Sequence, residues 1–265
     1  MTQSQNPFDQ QKPIPGVSKI IAVSSGKGGV GKSTIASNLA VALAQAGKKV
    51  GLLDADIYGP SLPRMMGALK QKPEITHDNK IKPIERHGIK IMSMGFLVDE
   101  EMAVAWRGPM LFKAMNQLFY DVDWGELDIL LIDLPPGTGD VQLSMVQKVP
   151  VFGAISICTP QNIALADVKK SIDMFDRVNV RCLGVVENMS YFYDPNRPDE
   201  KQEIFPKGDL FNFLDSKKLQ HLVAIPLYAE VALSCEIGIP YVARKSQDPV
   251  AKAYQTMANK ILEQI

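Results

Sequence analysis

The sequence predicts an α/β protein with a doubly wound, mostly parallel sheet and helices on both faces. Short and nearly continuous apolar runs alternate along the chain with longer segments whose apolar residues recur at helical spacing. That alternation is typical of a parallel sheet that is buried on both sides. A chain of 265 residues with 46% hydrophobic residues can also bury a large core without disulfides. We therefore expect one compact catalytic or binding domain.

The elements follow in order along the chain. The first strand is predicted at residues 19–24, and a helix at 33–46 ends before Gly47, where a C-cap belongs. A second strand at residues 50–53 leads directly into Asp54. Further strands are predicted at residues 89–94, 129–132, 151–157, 183–186 and 222–225. Further helices are predicted at residues 109–119, 163–175 and 249–262.

Composition excludes several classes of protein. Residues 1–17 are rich in Gln, Pro and Asn, so we expect a flexible tail before a single domain at residues 18–265. Lys+Arg and Asp+Glu both number 29, which gives no general electrostatic reason to bind nucleic acid or an anionic membrane. Three scattered cysteines, and a start without a secretory signal pattern, predict a cytoplasmic protein. Residues 60–86 and 191–207 are predicted to be irregular and exposed.

A glycine-rich string lies between the first strand and the first helix. It matches G-x-x-x-x-G-K-[ST] and consists of Gly26, Lys27, Gly28, Gly29, Val30, Gly31, Lys32 and Ser33. The glycines let backbone amides turn inward around phosphates, and the helix presents its positive N-terminal end. We expect Lys32 to contact the β- and γ-phosphates, Ser33 to bind Mg²⁺ and Thr34 to bind the α-phosphate. Lys27 is either a solvated surface lysine or a second cation close to the transferred phosphate.

Carboxylates stand at the carboxyl ends of predicted strands, which is where ligands bind in this fold class. Asp54 and Asp56 follow the second strand, and Asp133 follows the strand at residues 129–132. Such carboxylates can hold Mg²⁺ or orient an attacking water. The glycine-rich turn at residues 134–140 comes next, and its amides could sense the γ-phosphate.

The nucleotide base is predicted to be adenine. The Asn/Thr-Lys-x-Asp signature of GTP-binding proteins is absent, and its nearest match, Pro206-Lys207-Gly208-Asp209, has proline at the first position. Asn188, near the end of the strand at residues 183–186, could form a hydrogen bond with adenine. ATP is therefore favoured.

The glycine-rich string with its extra lysine resembles the deviant Walker A motif of the MinD/ParA class of dimeric P-loop ATPases. Within that class, five further blocks resemble the Mrp/ApbC family of iron–sulfur cluster carrier ATPases. They read DADIYGPS, WRGPM, WGELD, DLPPGTGD and ENMS, and begin at residues 54, 106, 124, 133 and 187. The resemblance runs from about residue 18 to residue 262, and implies a MinD/ParA-like P-loop NTPase fold.

The resemblance also implies roles for particular residues. Lys27 would reach across a homodimer to the partner's nucleotide, and Asp56 would position the attacking water. Asp54 and Asp133 would support Mg²⁺, while Gly137 would belong to the switch that senses the γ-phosphate. Asn188 and Pro226 would border the adenine. The family's cargo would be a [4Fe-4S] cluster that is passed to client apoproteins or received from assembly factors.

The cysteines depart from the family pattern. Carriers have Cys-Pro-x-Cys shortly after Glu-Asn-Met-Ser-Tyr-Phe, but residues 191–198 contain no cysteine. Cys158, Cys182 and Cys235 are separated by 24 and 53 residues, which is not a ligand spacing. Cys158 and Cys182 are interpreted as small core residues. Cys235 is the one cysteine to test as a cluster ligand.

The sequence thus favours an ATP-hydrolysing, homodimeric Mrp-type protein of iron–sulfur metabolism. The alternative is a MinD/ParA-like nucleotide switch that regulates the localisation or assembly of partners without carrying a cluster. A membrane-binding C-terminal helix is not favoured, because the helix at residues 249–262 has few cations opposite its apolar stripe. DNA partitioning is not favoured either, because the composition is neutral.

Overall fold

The computed structural model describes residues 11–56, 59–97 and 109–265. The strands are β1 Val17–Ser25, β2 Val50–Asp54, β3 Ile84–Arg86, β4 Ile89–Ser93, β5 Leu127–Asp133, β6 Val151–Cys158, β7 Cys182–Phe192 and β8 His221–Leu227. They form one sheet in the order β3-β4-β2-β5-β1-β6-β7-β8. Every pairing is parallel except that of β3 with β4. Because β1, β2 and β5 are parallel neighbours, their carboxyl ends lie at one edge of the sheet.

The helices cover both faces of this sheet. They are α1 Lys32–Gln45, α2 Leu62–Met65, α3 Pro109–Asn116, α4 Asp140–Lys148, α5 Asn162–Arg177, α6 Leu210–Lys217, α7 Ala229–Ile237, α8 Tyr241–Arg244 and α9 Pro249–Leu262. Val185 and Val186 are consecutive on β7 and point to opposite faces. Val185 packs in a cluster with α5 and α6, whereas Val186 packs in the larger core with α1 and α9. This arrangement confirms the predicted doubly wound fold.

The apolar stripe of α9 packs in the core. Val250, Tyr254, Met257 and Ile261 are each at most 2% exposed. Among the described residues, none of the helices is both long and apolar enough to cross a membrane.

The prediction of a flexible tail is wrong for residues 11–17. Residues 1–10 lie outside the described residues. Ile14 is 2% exposed and belongs to the main core, and β1 already begins at Val17. The Lys12 amide donates to the Lys148 carbonyl at 3.0 Å, and the Tyr120 hydroxyl donates to the Lys12 carbonyl at 3.1 Å. Burial of the Ile14 side chain in the core thus attaches this segment to the domain, although its local composition is polar.

The segments predicted to be irregular contain some regular structure. Residues 60–86 include α2 and β3, and β3 joins β4 through His87 and Gly88, whose φ angles are 50° and 77°. Two consecutive positive φ angles are typical of a tight hairpin turn whose twist matches that of the strands. The predicted helix at residues 109–119 divides into α3 and a π-helical turn at Gln117–Asp121.

Candidate functional site

The phosphate-binding loop occupies residues 26–31, between β1 and α1. Gly29 and Gly31 have φ angles of 79° and 82°, a conformation that glycine adopts without strain. Gly31 also has no room for a side chain, because an added Cβ would lie 2.3 Å from the Asn188 Nδ2 atom. At Gly26 an added Cβ would lie 2.2 Å from the Asp167 Cβ on α5. Two of these glycines therefore allow close packing against neighbouring elements.

A cavity of about 250 Å³ opens beside this loop. It unites the loop with the segment after β2 and the turn after β5. Its lining residues are Ser25, Gly28, Gly29, Gly31, Lys32, Ser33, Thr34, Asp56, Gly59, Ser61, Met65 and Pro136. A larger cavity of about 540 Å³, around residues 85–90, contains none of the predicted site residues.

Lys32 and Asp133 form a buried ion pair in the floor of the site. The Lys32 Nζ and Asp133 Oδ1 atoms are 2.5 Å apart, and the two side chains are 7% and 0% exposed. The Lys32 Nζ atom also lies 3.4 Å from the Ser33 hydroxyl. Within the described residues, the buried Asp133 Oδ2 atom accepts no hydrogen bond. A buried carboxylate oxygen without a donor suits a hard cation, so Asp133 and Ser33 fit a Mg²⁺ ion.

Asp54 lies next to Asp133 in the sheet register and is fully buried. Its carboxylate accepts hydrogen bonds from the Asp56 amide at 3.1 Å, the Leu62 amide at 3.1 Å and the Ser93 hydroxyl at 3.2 Å. Burial, and then the charge of Asp133, raises the pKa of Asp54 to about 7. Asp54 therefore holds the segment after β2 in place as well as facing the predicted metal site.

Ser93 is a site residue that the sequence interpretation missed. It stands at the end of β4 with no exposed surface. A polar residue at the end of an otherwise buried strand, as at Asp54 and Asp133, is the signal that could have identified it.

Of the three predicted catalytic residues, Lys32 and Asp56 line the cavity, and Lys27 belongs to the phosphate-binding loop beside it. Lys27 and Asp56 are half-buried, and Asp56 lines the cavity. The Lys27 carbonyl accepts a hydrogen bond from the Ser25 hydroxyl at 2.9 Å. Gly137 has a φ angle of 101°, and its amide donates to the Ser25 carbonyl at 3.0 Å. The turn after β5 is thus attached to the end of β1. Residues 57, 58 and 106–108 of the sequence blocks lie outside the described residues.

Asn188 contacts the phosphate-binding loop directly. Its Nδ2 atom donates to the Val30 carbonyl at 2.7 Å, and the side chain is 6% exposed. Pro226 is buried in β8 and follows Ile225, which pairs with Asn188 in the register. Asn188 therefore supports the loop, and its contact with adenine, like that of Pro226, stays a prediction.

The cysteines are dispersed rather than clustered. Cys235 lies within α7, and its Sγ atom is 3.6 Å from the Thr34 hydroxyl of the same chain. Burial raises the pKa of the Cys235 thiol, that of Cys158 to about 12 and that of Cys182 to about 11. No three or more His, Cys, Asp and Glu side chains form a possible metal site in the described part of the chain.

The segment where carriers have their cysteine pair forms a polar turn here. The Asp194 side chain accepts a hydrogen bond from the Asn196 amide at 2.9 Å, and the Arg197 amide donates to the Asp194 carbonyl at 3.0 Å. This turn is held by hydrogen bonds and contains no thiol.

A model of the ParA family, described as NUBPL iron-transfer P-loop NTPase, matches residues 16–262. The chain belongs to this family. It is 48% identical over 263 residues to the iron–sulfur cluster carrier protein of Aquifex aeolicus, covering 99% of this chain and 72% of that protein. It is 46% identical over 258 residues to the mouse iron–sulfur cluster transfer protein NUBPL, covering 97% and 80%. The family predicted from the phosphate-binding loop and the five blocks is confirmed.

Solved structures agree with this membership in the NUBPL iron-transfer family. The nucleotide-binding protein of Archaeoglobus fulgidus in complex with ADP has a TM-score of 0.78 and 36% identity, covering 93% of this chain and 96% of that one. The cell division ATPase MinD of Pyrococcus furiosus has a TM-score of 0.70 and 25% identity, covering 94% and 100%. The MinD/ParA-like fold is therefore confirmed as well.

Proposed function

We propose that this chain is an ATP-hydrolysing homodimer that acts in the assembly of iron–sulfur clusters or in their transfer to client apoproteins. The observation that carries the proposal is the cavity where the phosphate-binding loop, the Lys32–Asp133 pair and Asp56 meet. The names of its relatives supply the link with iron–sulfur clusters. The cytoplasm is the expected compartment, since all three cysteines are free thiols.

Different site residues are proposed to bind the phosphates, the adenine and the Mg²⁺ ion. Amides of the loop and the N-terminus of α1 bind the phosphates, and Asn188 with Pro226 borders the adenine. Lys32 exchanges Asp133 for the β- and γ-phosphates, while Thr34 binds the α-phosphate. Ser33, Asp54 and Asp133 are the residues that would hold Mg²⁺, which offsets phosphate charge when bound.

Asp56 is proposed to orient the attacking water, and Lys27 to contact the nucleotide of the partner subunit. In a symmetric dimer, each site would then use Asp56 of one subunit and Lys27 of the other. Lys27→Ala and Asp56→Ala should each abolish hydrolysis while ATP binding persists. These two variants make it possible to test the dimer and the catalytic roles together.

The experiment mixes the two inactive variants. A mixed dimer keeps one intact site, so an equimolar mixture should recover about one quarter of the wild-type rate. Each variant alone, at the same total concentration, is the control. If the mixture stays inactive although mixed dimers form, Lys27 does not act across the dimer. If both variants hydrolyse ATP like the wild type, the site assignment is wrong.

The cluster is proposed to be cargo whose thiolate ligands come from partner proteins. Two observations support this: the thiols are dispersed, and no three or more His, Cys, Asp and Glu side chains come together among the described residues. Anaerobic reconstitution should leave less than one cluster per dimer, while ATP and the protein together speed transfer from a loaded scaffold to an apoprotein. A stoichiometric cluster that is lost in Cys235→Ala would contradict this part of the proposal. No effect on transfer would favour a nucleotide switch that regulates partners without handling clusters.

A further inference from the structure

Gln142 lies in the first turn of α4, immediately after the turn at residues 134–139 that is expected to sense the γ-phosphate. Its side chain is 1% exposed, and its Nε2 atom donates a hydrogen bond to the Pro135 carbonyl. The side chain thus bridges the two ends of this turn. No role in phosphate binding or metal binding accounts for such a buried amide.

The bridge matters because the turn has few other attachments of its own. Pro135 and Pro136 have no amide hydrogen to donate. The Gly137 amide donates to the Ser25 carbonyl, and Pro136 lines the nucleotide cavity. Gln142 and Ser25 therefore each hold a residue next to Pro136, which lines the cavity.

The other end of the Gln142 amide is unsatisfied. Among the described residues, its buried Oε1 atom accepts no hydrogen bond. Rotating the amide would place Oε1 against the Pro135 carbonyl oxygen, which repels it, so rotation alone does not give Oε1 a donor. A buried amide oxygen without a donor is unfavourable. A second arrangement that supplies a donor would therefore compete with the one that the structure shows.

The position of Gln142 indicates which donor that is. Gly139 is the N-cap of α4 and provides no side-chain cap, which makes Gln142 the third helical residue. Glutamine at this position commonly accepts a hydrogen bond from the N-cap amide, as in a capping box. The Gly139 amide, at the N-cap of the same helix, is therefore the donor that the Gln142 Oε1 atom would accept.

We propose that Gln142 is a positioning residue that gives the turn at residues 134–139 two alternative arrangements. In one, Nε2 holds the Pro135 carbonyl, as the structure shows. In the other, favoured when the turn contacts the γ-phosphate, Oε1 accepts the Gly139 amide and caps α4. This inference rests on the proposed function, and names the residue through which the site distinguishes ATP from ADP.

The test compares Gln142→Leu, which removes both contacts, with Gln142→Glu, which keeps the acceptor and removes the donor. Gln255→Leu is the matched control, because the Gln255 amide also donates to a backbone carbonyl, that of Ser246 at 3.0 Å. Affinities for ADP and for a non-hydrolysable ATP analogue are measured by calorimetry, together with kcat and KM for ATP. Melting temperatures establish that each variant is folded.

We expect Gln142→Leu to lower the ratio of ATP-analogue affinity to ADP affinity by about fivefold or more, and to lower kcat. Gln142→Glu should keep or raise that ratio, and Gln255→Leu should match the wild type. An unchanged ratio in Gln142→Leu, or equal weakening of both nucleotides, would overturn the inference. If Gln142→Leu does not fold, a ratio in Gln142→Glu below that of the wild type overturns it. A wild type that binds neither nucleotide contradicts the proposed function instead.

Discussion

Asp54 is expected to make the protein less stable as the pH rises. Burial, with the charge of Asp133 as the second cause, raises its pKa from 3.8 to about 7. Between these values the folded protein holds a proton that the unfolded chain releases, so folding loses stability as the pH increases. A difference of about 3 pKa units corresponds to about 4 kcal/mol at high pH, since each unit is worth about 1.36 kcal/mol.

The substitution Asp54→Asn removes this titration while keeping a side chain of the same shape. Loss of one acceptor adds a constant offset, but the pH dependence between pH 5 and 8 isolates the carboxyl group. Over that range the wild type should lose about 2–3 kcal/mol of unfolding free energy relative to Asp54→Asn. The measurement is urea denaturation of both proteins at several pH values, without nucleotide or Mg²⁺.

The outcome that contradicts the argument is a constant difference between the two proteins across this range. It would mean that Asp54 is ionised in the folded protein at pH 5, in spite of its burial and of the neighbouring carboxylate.

Three further predictions concern stability. Gly31→Ala and Gly29→Ala should each cost about 1–2 kcal/mol from left-handed backbone strain. Calorimetry with ATP should show weaker nucleotide binding for Gly31→Ala than for Gly29→Ala. The reason is that a Cβ at Gly31 meets the Asn188 side-chain amide at 2.3 Å, whereas a Cβ at Gly29 meets open space. Ile14→Ala should lower the free energy of unfolding by about 2–5 kcal/mol in urea denaturation, and a negligible change would mean that this segment is a free tail after all. Tyr254→Phe should leave the melting temperature unchanged or higher, because the buried hydroxyl has no partner among the described residues. Tyr241→Phe, which removes a hydroxyl that interacts with the Asp248 carboxylate, should lower the melting temperature instead.

Local patterns identified the parts of this site that depend on a few consecutive residues. The glycine-rich loop needs backbone conformations and a helix N-terminus, both of which are encoded within eight neighbouring positions. Asp54 and Asp133 were identified because each follows an apolar run, and parallel strands bring their carboxyl ends to one edge. Ser93 follows the same rule, and was missed because a single serine carries little signal by itself.

Local composition predicted the structure less well than these short motifs did. Residues 11–17 are locally polar, and their attachment to the core comes from Ile14 alone. The short helices α4, α6, α7 and α8 were not predicted from the sequence, because fewer than three turns leave too little periodicity.

The sequence by itself determined the fold class and the family and predicted the residues that bind phosphate, because each depends on spacing along a short stretch of chain. Only the tertiary structure decided which distant side chains meet. In the structure, Lys32 pairs with Asp133, Asn188 donates a hydrogen bond to the Val30 carbonyl and Cys235 lies beside Thr34. These contacts join residues between 101 and 201 positions apart. They depend on the order of the strands in the sheet, which no local pattern encodes, because the order follows from how all the apolar faces can be buried at once.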